Sequence, residues 1–97
     1  MMDAVSLIVE NQKDFLKYLK SKFPLYHLSN VFFRDLHYGV MNYLMAYKKK
    51  LKYYDAEEVT RGVIAELEKA DVLKKVDSQT WLLVYPEFQL PRMKKAS

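Results

Sequence analysis

The sequence predicts a mainly α, α+β fold: three helices followed by a β-hairpin. Two observations carry it. Residues 55–70 read as an acid-led amphipathic helix, and residues 73–85 read as two strands joined by a polar turn. A third supports it. Upstream, apolar residues recur at helical spacing over two stretches, about 4–22 and 34–50.

The first helix takes Asp3 or Ser6 as its cap. Ile8, Phe15, Leu19 and Phe23 form its core stripe, with Val5, Leu16 and Tyr18 beside it. Lys13, Lys17, Lys20 and Lys22 fall on the wetter side, as a solvated lysine face or as phosphate contacts. Pro24 breaks this helix. Residues 25–33 are a connection that permits a short strand at 31–33. The competing assignment is one helix from Asn30 to Leu51 without a strand. In the second helix, Leu36, Val40, Leu44, Tyr47 and Leu51 repeat at intervals of three and four. Met41, Tyr43 and Met45 widen its apolar surface beyond one stripe, which suits a central position or a partner interface. His37 and His27 read as surface or rim histidines.

Asp55 is expected to cap the third helix, 56–70, with Glu58 completing a D-x-x-E capping box. Val59, Val63, Ile64 and Leu67 make the buried stripe. Gly62 weakens the helix and is tolerated where another helix crosses closely. Strands at 73–76 and 80–85 then flank the turn Asp77-Ser78-Gln79, and Pro86 ends the second. Phe88 and Leu90 can dock back on the fold, so the domain runs 1–91. Residues 92–97 form a basic tail.

The stretch EEVTRGVIAELEKADVLKKV is similar to the VxRxIxxLEKxGxLxxV segments of the winged helix-turn-helix superfamily. The resemblance covers about the last two thirds of the chain. It implies that the third helix is the recognition helix, that the hairpin is the wing, and that strand 31–33 joins the wing's sheet. WLLVYPEFQL also looks like the closing strand of winged-helix domains appended to replicative helicases and primases, such as the minichromosome-maintenance family, and FRDL resembles the helix start of similar modules.

Charge is segregated. Residues 55–71 carry six acids and two bases, a net −4, and the rest carries fourteen bases and six acids, a net +8. The densest basic run, Lys48-Lys49-Lys50-Leu51-Lys52-Tyr53-Tyr54, lies at the expected turn between the second and third helices. A helix-turn-helix presents that turn to the phosphate backbone, where lysines neutralise phosphate and release counterions. The run is equally readable as a solvated charge cluster. The DNA-binding set expected from this reading is Lys48, Lys49, Lys50, Lys52, Tyr53, Thr60, Arg61, Lys74 and Lys75, with Ala65 beside Thr60 and Arg61 at the groove. Its difficulty is electrostatic, because Glu57, Glu58, Glu66 and Glu68 are useful near DNA only opposite cytosine amines.

The expected function is therefore binding of double-stranded DNA, mainly through backbone contacts, in transcription regulation or as a replication accessory. The alternative is a winged-helix protein–protein interaction module. A homodimer through the first helix or the apolar side of the second fits either. No catalytic constellation is legible, so the chain does not read as an enzyme. No cofactor, metal or small-molecule substrate is expected, since the two histidines lack ligand spacing and there is no Cys. No run is long enough to span a membrane, and Met1-Met2-Asp3 lacks a basic leader, so the expected location is cytoplasmic: intracellular, at the nucleoid or nucleus if DNA is bound.

Overall fold

The computed structural model describes residues 4–47 and 52–89, with Tyr53 and Tyr54 described in their backbone only. Four helices lead and alternate with a small sheet: α1 (Ala4–Glu10), α2 (Gln12–Lys22), β1 (Asn30–Phe32), α3 (Phe33–Ala46), α4 (Tyr53–Lys69), β2 (Leu73–Asp77) and β3 (Thr80–Leu83), followed by a 3-10 turn at Pro86–Phe88. The three strands are antiparallel in the order β1-β3-β2.

The expected single first helix is two. Asn11 breaks it, with φ −111° and ψ 35°. Its side-chain amide donates to Leu7 O at 2.8 Å and its backbone N–H to Ile8 O at 3.1 Å. A side chain that bonds the preceding turn competes with the helical ladder, and the chain bends there. Ser6 lies inside α1 rather than at its cap, and Asp3 falls outside the described residues. Ile8, Phe15, Leu16 and Leu19 still bury fully.

Strand β1 exists one residue earlier than expected, and Phe33 opens α3 instead of closing the strand. Phe33 N–H donates to Gln79 O, which ties the start of α3 to the hairpin turn. The alternative of one helix over 30–51 is thereby excluded. Helix α3 stops at Ala46, short of the expected 50, because the Tyr47 N–H turns back to Leu44 O and tightens the last turn. Leu36, Val40, Tyr43 and Leu44 are buried, and so is His37, which stacks on Phe33 rather than sitting on the surface. The Tyr43 hydroxyl donates to Asp14 Oδ2 at 2.8 Å. Burial first, then its bonds to Tyr47 and Asp14, hold this phenol well above the ordinary tyrosine range.

Asp55 does not cap α4. The helix starts three residues earlier than expected, with Lys52 O accepting from Ala56 N–H at 2.9 Å, and no side chain caps it. Asp55 sits in the first turn, where the dipole still favours its charge. At the other end Asp71 takes φ 62°, and the Val72→Leu67 O and Asp71→Glu68 O bonds close a Schellman motif. The expected close crossing at Gly62 is present: a Cβ there would lie 2.9 Å from Val5 Cγ2 of α1. At Gly39, inside the unbroken α3, the missing side chain gives Leu19 of α2 room to pack against the helix backbone.

The hairpin turn is tighter than expected. Asp77 belongs to β2, leaving Ser78-Gln79 as the connection, and Asp77 Oδ1 accepts from Gln79 N–H at 2.9 Å. That bond is the main reason the Asp77 carboxyl is held below its usual pKa. A register shift between Lys75 and Asp77 leaves Val76 as the extra, exposed residue. β3 ends at Leu83, not at 85: Val84 N–H still reaches Val72 O in the same register, but Tyr85 N–H leaves the sheet for His27 Nδ1. His27 is thus a half-buried acceptor that joins the 26–29 loop to the end of the sheet. Phe88 docks in the core as expected, with the Lys20 ammonium over its ring.

Candidate nucleic-acid interface

Helix α4 and the hairpin enclose a shallow groove of about 160 Å³, lined by Phe33, Arg61, Ile64, Glu68, Lys75, Ser78 and Trp81. Three elements build it. The apolar stripe of α4 (Ala56, Val63, Ile64, Leu67) turns inward and leaves Arg61 and Ala65 outside. Trp81 and Val31 are paired across β1 and β3 and pack below it. The Trp81 indole N–H donates to Glu68 Oε2 at 2.9 Å, which fixes the sheet to the helix and occupies that carboxylate.

Of the expected DNA-contacting residues, Lys48, Lys49 and Lys50 lie outside the described residues, as does the side chain of Tyr53. Lys52 is exposed at the start of α4. Thr60 is a correction. It is fully buried, and its hydroxyl donates to Ala56 O at 2.7 Å within the helix, so it reaches no groove. Its spacing explains this. Residue 60 is four from Ala56 and four from Ile64, which places it on the apolar stripe despite its hydroxyl.

Arg61 is exposed but engaged. Its guanidinium lies 3.0 Å from Glu57 Oε2 and 4.9 Å from the Phe33 ring centroid. Lys69 pairs in the same way with Glu66 at 3.5 Å. Both cations of α4 are therefore matched by a carboxylate three or four residues earlier. Asp55 and Glu58 stay exposed on the outer side.

Lys74 and Lys75 are both exposed, but they do not form one patch. Successive strand residues point to opposite faces. Lys75 pairs across the sheet with Trp81 and lines the α4 groove, whereas Lys74 pairs with Leu82 on the outer face. Neither they nor Lys52 make an ion pair among the described residues. The structure thus brings Arg61 and Lys75 together across the groove and keeps Lys52 apart, at the far end of α4. On the lysine face of α2, Lys13 pairs with Glu87 at 3.4 Å. Lys20 donates to Leu25 O and stands over the rings of Tyr26 and Phe88. Much of that face holds the C-terminal segment in place.

No family model matches the chain, and no curated protein or solved structure matches it.

Among the described residues no cluster of His, Asp or Glu could hold a metal ion. None of their helices is long and apolar enough to cross a membrane. Sequence reasoning missed Arg34, Lys22 and Tyr38. Lys22 was assigned to the lysine face and Arg34 to a helix start, yet with Phe23 and Asp35 they line an open groove of about 390 Å³ between α2 and α3. The expected apolar side of α3 also shifts. Tyr43 is buried, while Tyr38, Met45 and Tyr47 are the exposed large apolar residues of that helix and its cap.

Proposed function

We propose that this chain is a winged helix-turn-helix domain that binds duplex DNA through its phosphate backbone and takes no base readout from α4. The fold reading rests on the helix–strand–helix–helix–hairpin order, with β1 added to the edge of the hairpin through β3. In that arrangement α3 and α4 are the helix-turn-helix, β2–β3 is the wing, and the α4–wing groove faces the duplex.

One observation carries the functional reading: the cations beside α4 are unpaired while those on α4 are neutralised. Lys52 and Lys75 are exposed without a carboxylate within pairing distance among the described residues, whereas Arg61 and Lys69 are matched by Glu57 and Glu66. Free cations flanking a helix, with acids Asp55 and Glu58 outward on it, suit straddling of phosphates better than insertion between bases. The run Lys48-Lys49-Lys50 immediately precedes Lys52 in sequence and adds charge to the same end of α4.

The test is a salt titration of binding to random-sequence duplex. The expected slope of log K on log[salt] is about −3 to −6 for a dimer, at roughly 0.9 per neutralised phosphate. Replacing Lys48, Lys49, Lys50 and Lys52 with Ser flattens that slope, and Lys75→Ser lowers its magnitude by about two in a dimer, one for each protomer. Absence of duplex binding by the wild-type chain at low salt overturns the reading.

A further inference from the structure

The outer face of α3 takes no part in the α4–wing groove. Arg34, Tyr38, Met41 and Met45 recur at four, three and four residues, so they share one helical face. That face points away from the core stripe of Leu36, Val40, Tyr43 and Leu44. Tyr38 is 53% exposed and Met45 51%, and Met41 is half-buried. Tyr38, Met41 and Met45 thus form one continuous apolar row rather than scattered single residues, the arrangement that marks an interaction surface. The stripe runs about 16 Å from Arg34 to Met45, at 1.5 Å per residue.

Its chemistry is not uniform. At the Arg34 end the stripe joins the groove of about 390 Å³ formed with the end of α2, where Phe23 meets Tyr38 edge to face at 6.0 Å. Lys22 and Arg34 stand on this groove, and neither makes an ion pair among the described residues. Asp35 lines it as well, so the groove carries two cations against one acid. From there the stripe becomes purely apolar toward Met45. A partner that fits must offer carboxylates at one end and an apolar row along the rest. The methionines mould to apolar side chains of a helix, and Tyr38 is the one exposed ring on the stripe among the described residues, too few for a run of stacked bases. A second copy of this chain fits poorly. Two α3 helices crossed antiparallel about Tyr38–Met41 bring Arg34 opposite the Met45 end, where no acid of α3 stands.

We infer that the α3 outer face, with the Lys22–Phe23–Arg34–Tyr38 groove at its end, docks an acidic amphipathic helix of a partner protein. Apolar residues of the partner at i, i+4, i+7 and i+11 lie along Tyr38, Met41 and Met45, and its carboxylates reach Lys22 and Arg34. None of its residues lines the α4–hairpin groove.

The probe is a blocked, helix-forming peptide of about 18 residues, long enough to cover the stripe, with Leu at those four spacings, Glu at the two or three positions that meet Lys22 and Arg34, and Ala and Gln elsewhere. Its controls are a twin with Lys for Glu and an acidic twin with the leucines scrambled. Fluorescence anisotropy against the full chain reads the affinities. The expected result is binding of the acidic patterned peptide at least tenfold tighter than either twin. Tyr38→Ala weakens it at least tenfold and Arg34→Glu at least fivefold, while Lys17→Glu, the same charge change off the stripe, leaves it unaltered. Met45→Glu gives a second loss at the other end should Tyr38→Ala fail to fold. Duplex affinity of Tyr38→Ala stays at the wild-type value, which separates this surface from the DNA reading. Equal affinity for the three peptides, no binding, or insensitivity to Tyr38, Met45 and Arg34 overturns the inference. So does sedimentation showing a wild-type dimer that Met45→Glu dissolves, since a second copy then covers the face.

Discussion

Asp71 holds φ at 62° where α4 hands the chain to β2. A Cβ in the left-handed region costs roughly 1–2 kcal/mol, which glycine avoids. The Asp71 side chain is exposed, so replacing it forfeits no buried contact. Glycine's larger unfolded-state entropy offsets part of the gain. Asp71→Gly is therefore expected to stabilise the fold by about 1 kcal/mol, raising Tm by about 4–8 °C for a domain of this length. Thermal melts followed by circular dichroism check it, and a lower Tm sinks the claim that Asp71 is strained. The residue scale is also where sequence reading was weakest. Asp71 was legible as the end of the helix because acids seldom continue an apolar stripe. Thr60 was misplaced because its hydroxyl outweighed its position, four residues from Ile64 on the buried side. Residue type and residue spacing disagreed there, and spacing won.

At the scale of elements, the helices meet where side chains are missing. A Cβ at Gly39 would collide with Leu19 Cδ2, in a part of the core where Leu19 is 2% exposed and must shift against packed neighbours. Alanine there gains about 1 kcal/mol of helix propensity, but overpacking a filled core costs about 1–3 kcal/mol, so Gly39→Ala is expected to be net destabilising. Chemical denaturation measures the difference, and the Gly39→Ala/Leu19→Ala double mutant is expected to show favourable coupling of at least about 0.5 kcal/mol. Strictly additive effects contradict the contact. Gly62 is the milder case, since its neighbour Val5 sits on the short helix α1, which has more freedom to shift. The elements themselves were largely readable: the apolar periods of α3 and α4, and the alternation in β3, are visible in sequence. What periodicity could not show was the bend at Asn11, because the apolar repeat continues across it. The early start of α4 was hidden too, because Asp55 fits a cap as well as it fits a first turn.

For the whole molecule the decisive quantity is where charge is free. The sequence shows segregation, −4 over residues 55–71 against +8 elsewhere. The i,i+4 spacing of Glu57 and Arg61 and the strand alternation that parts Lys74 from Lys75 are legible there too; which of the two lysines faces α4 depends on register. The proposal that α4 straddles rather than reads DNA makes Asp55 and Glu58 a repulsive pair facing phosphate. Neutralising both, as Asp55→Asn/Glu58→Gln, is then expected to tighten random-duplex binding by about three- to tenfold at low salt. The gain should shrink toward nothing near 0.5 M, where the Debye length falls to a few ångströms. The log K slope should change little, because carboxylates displace no condensed counterions. The opposite outcome is equally informative. If the double variant binds more weakly, and the loss depends on duplex sequence, then these acids accept from cytosine amines, and α4 enters the major groove after all.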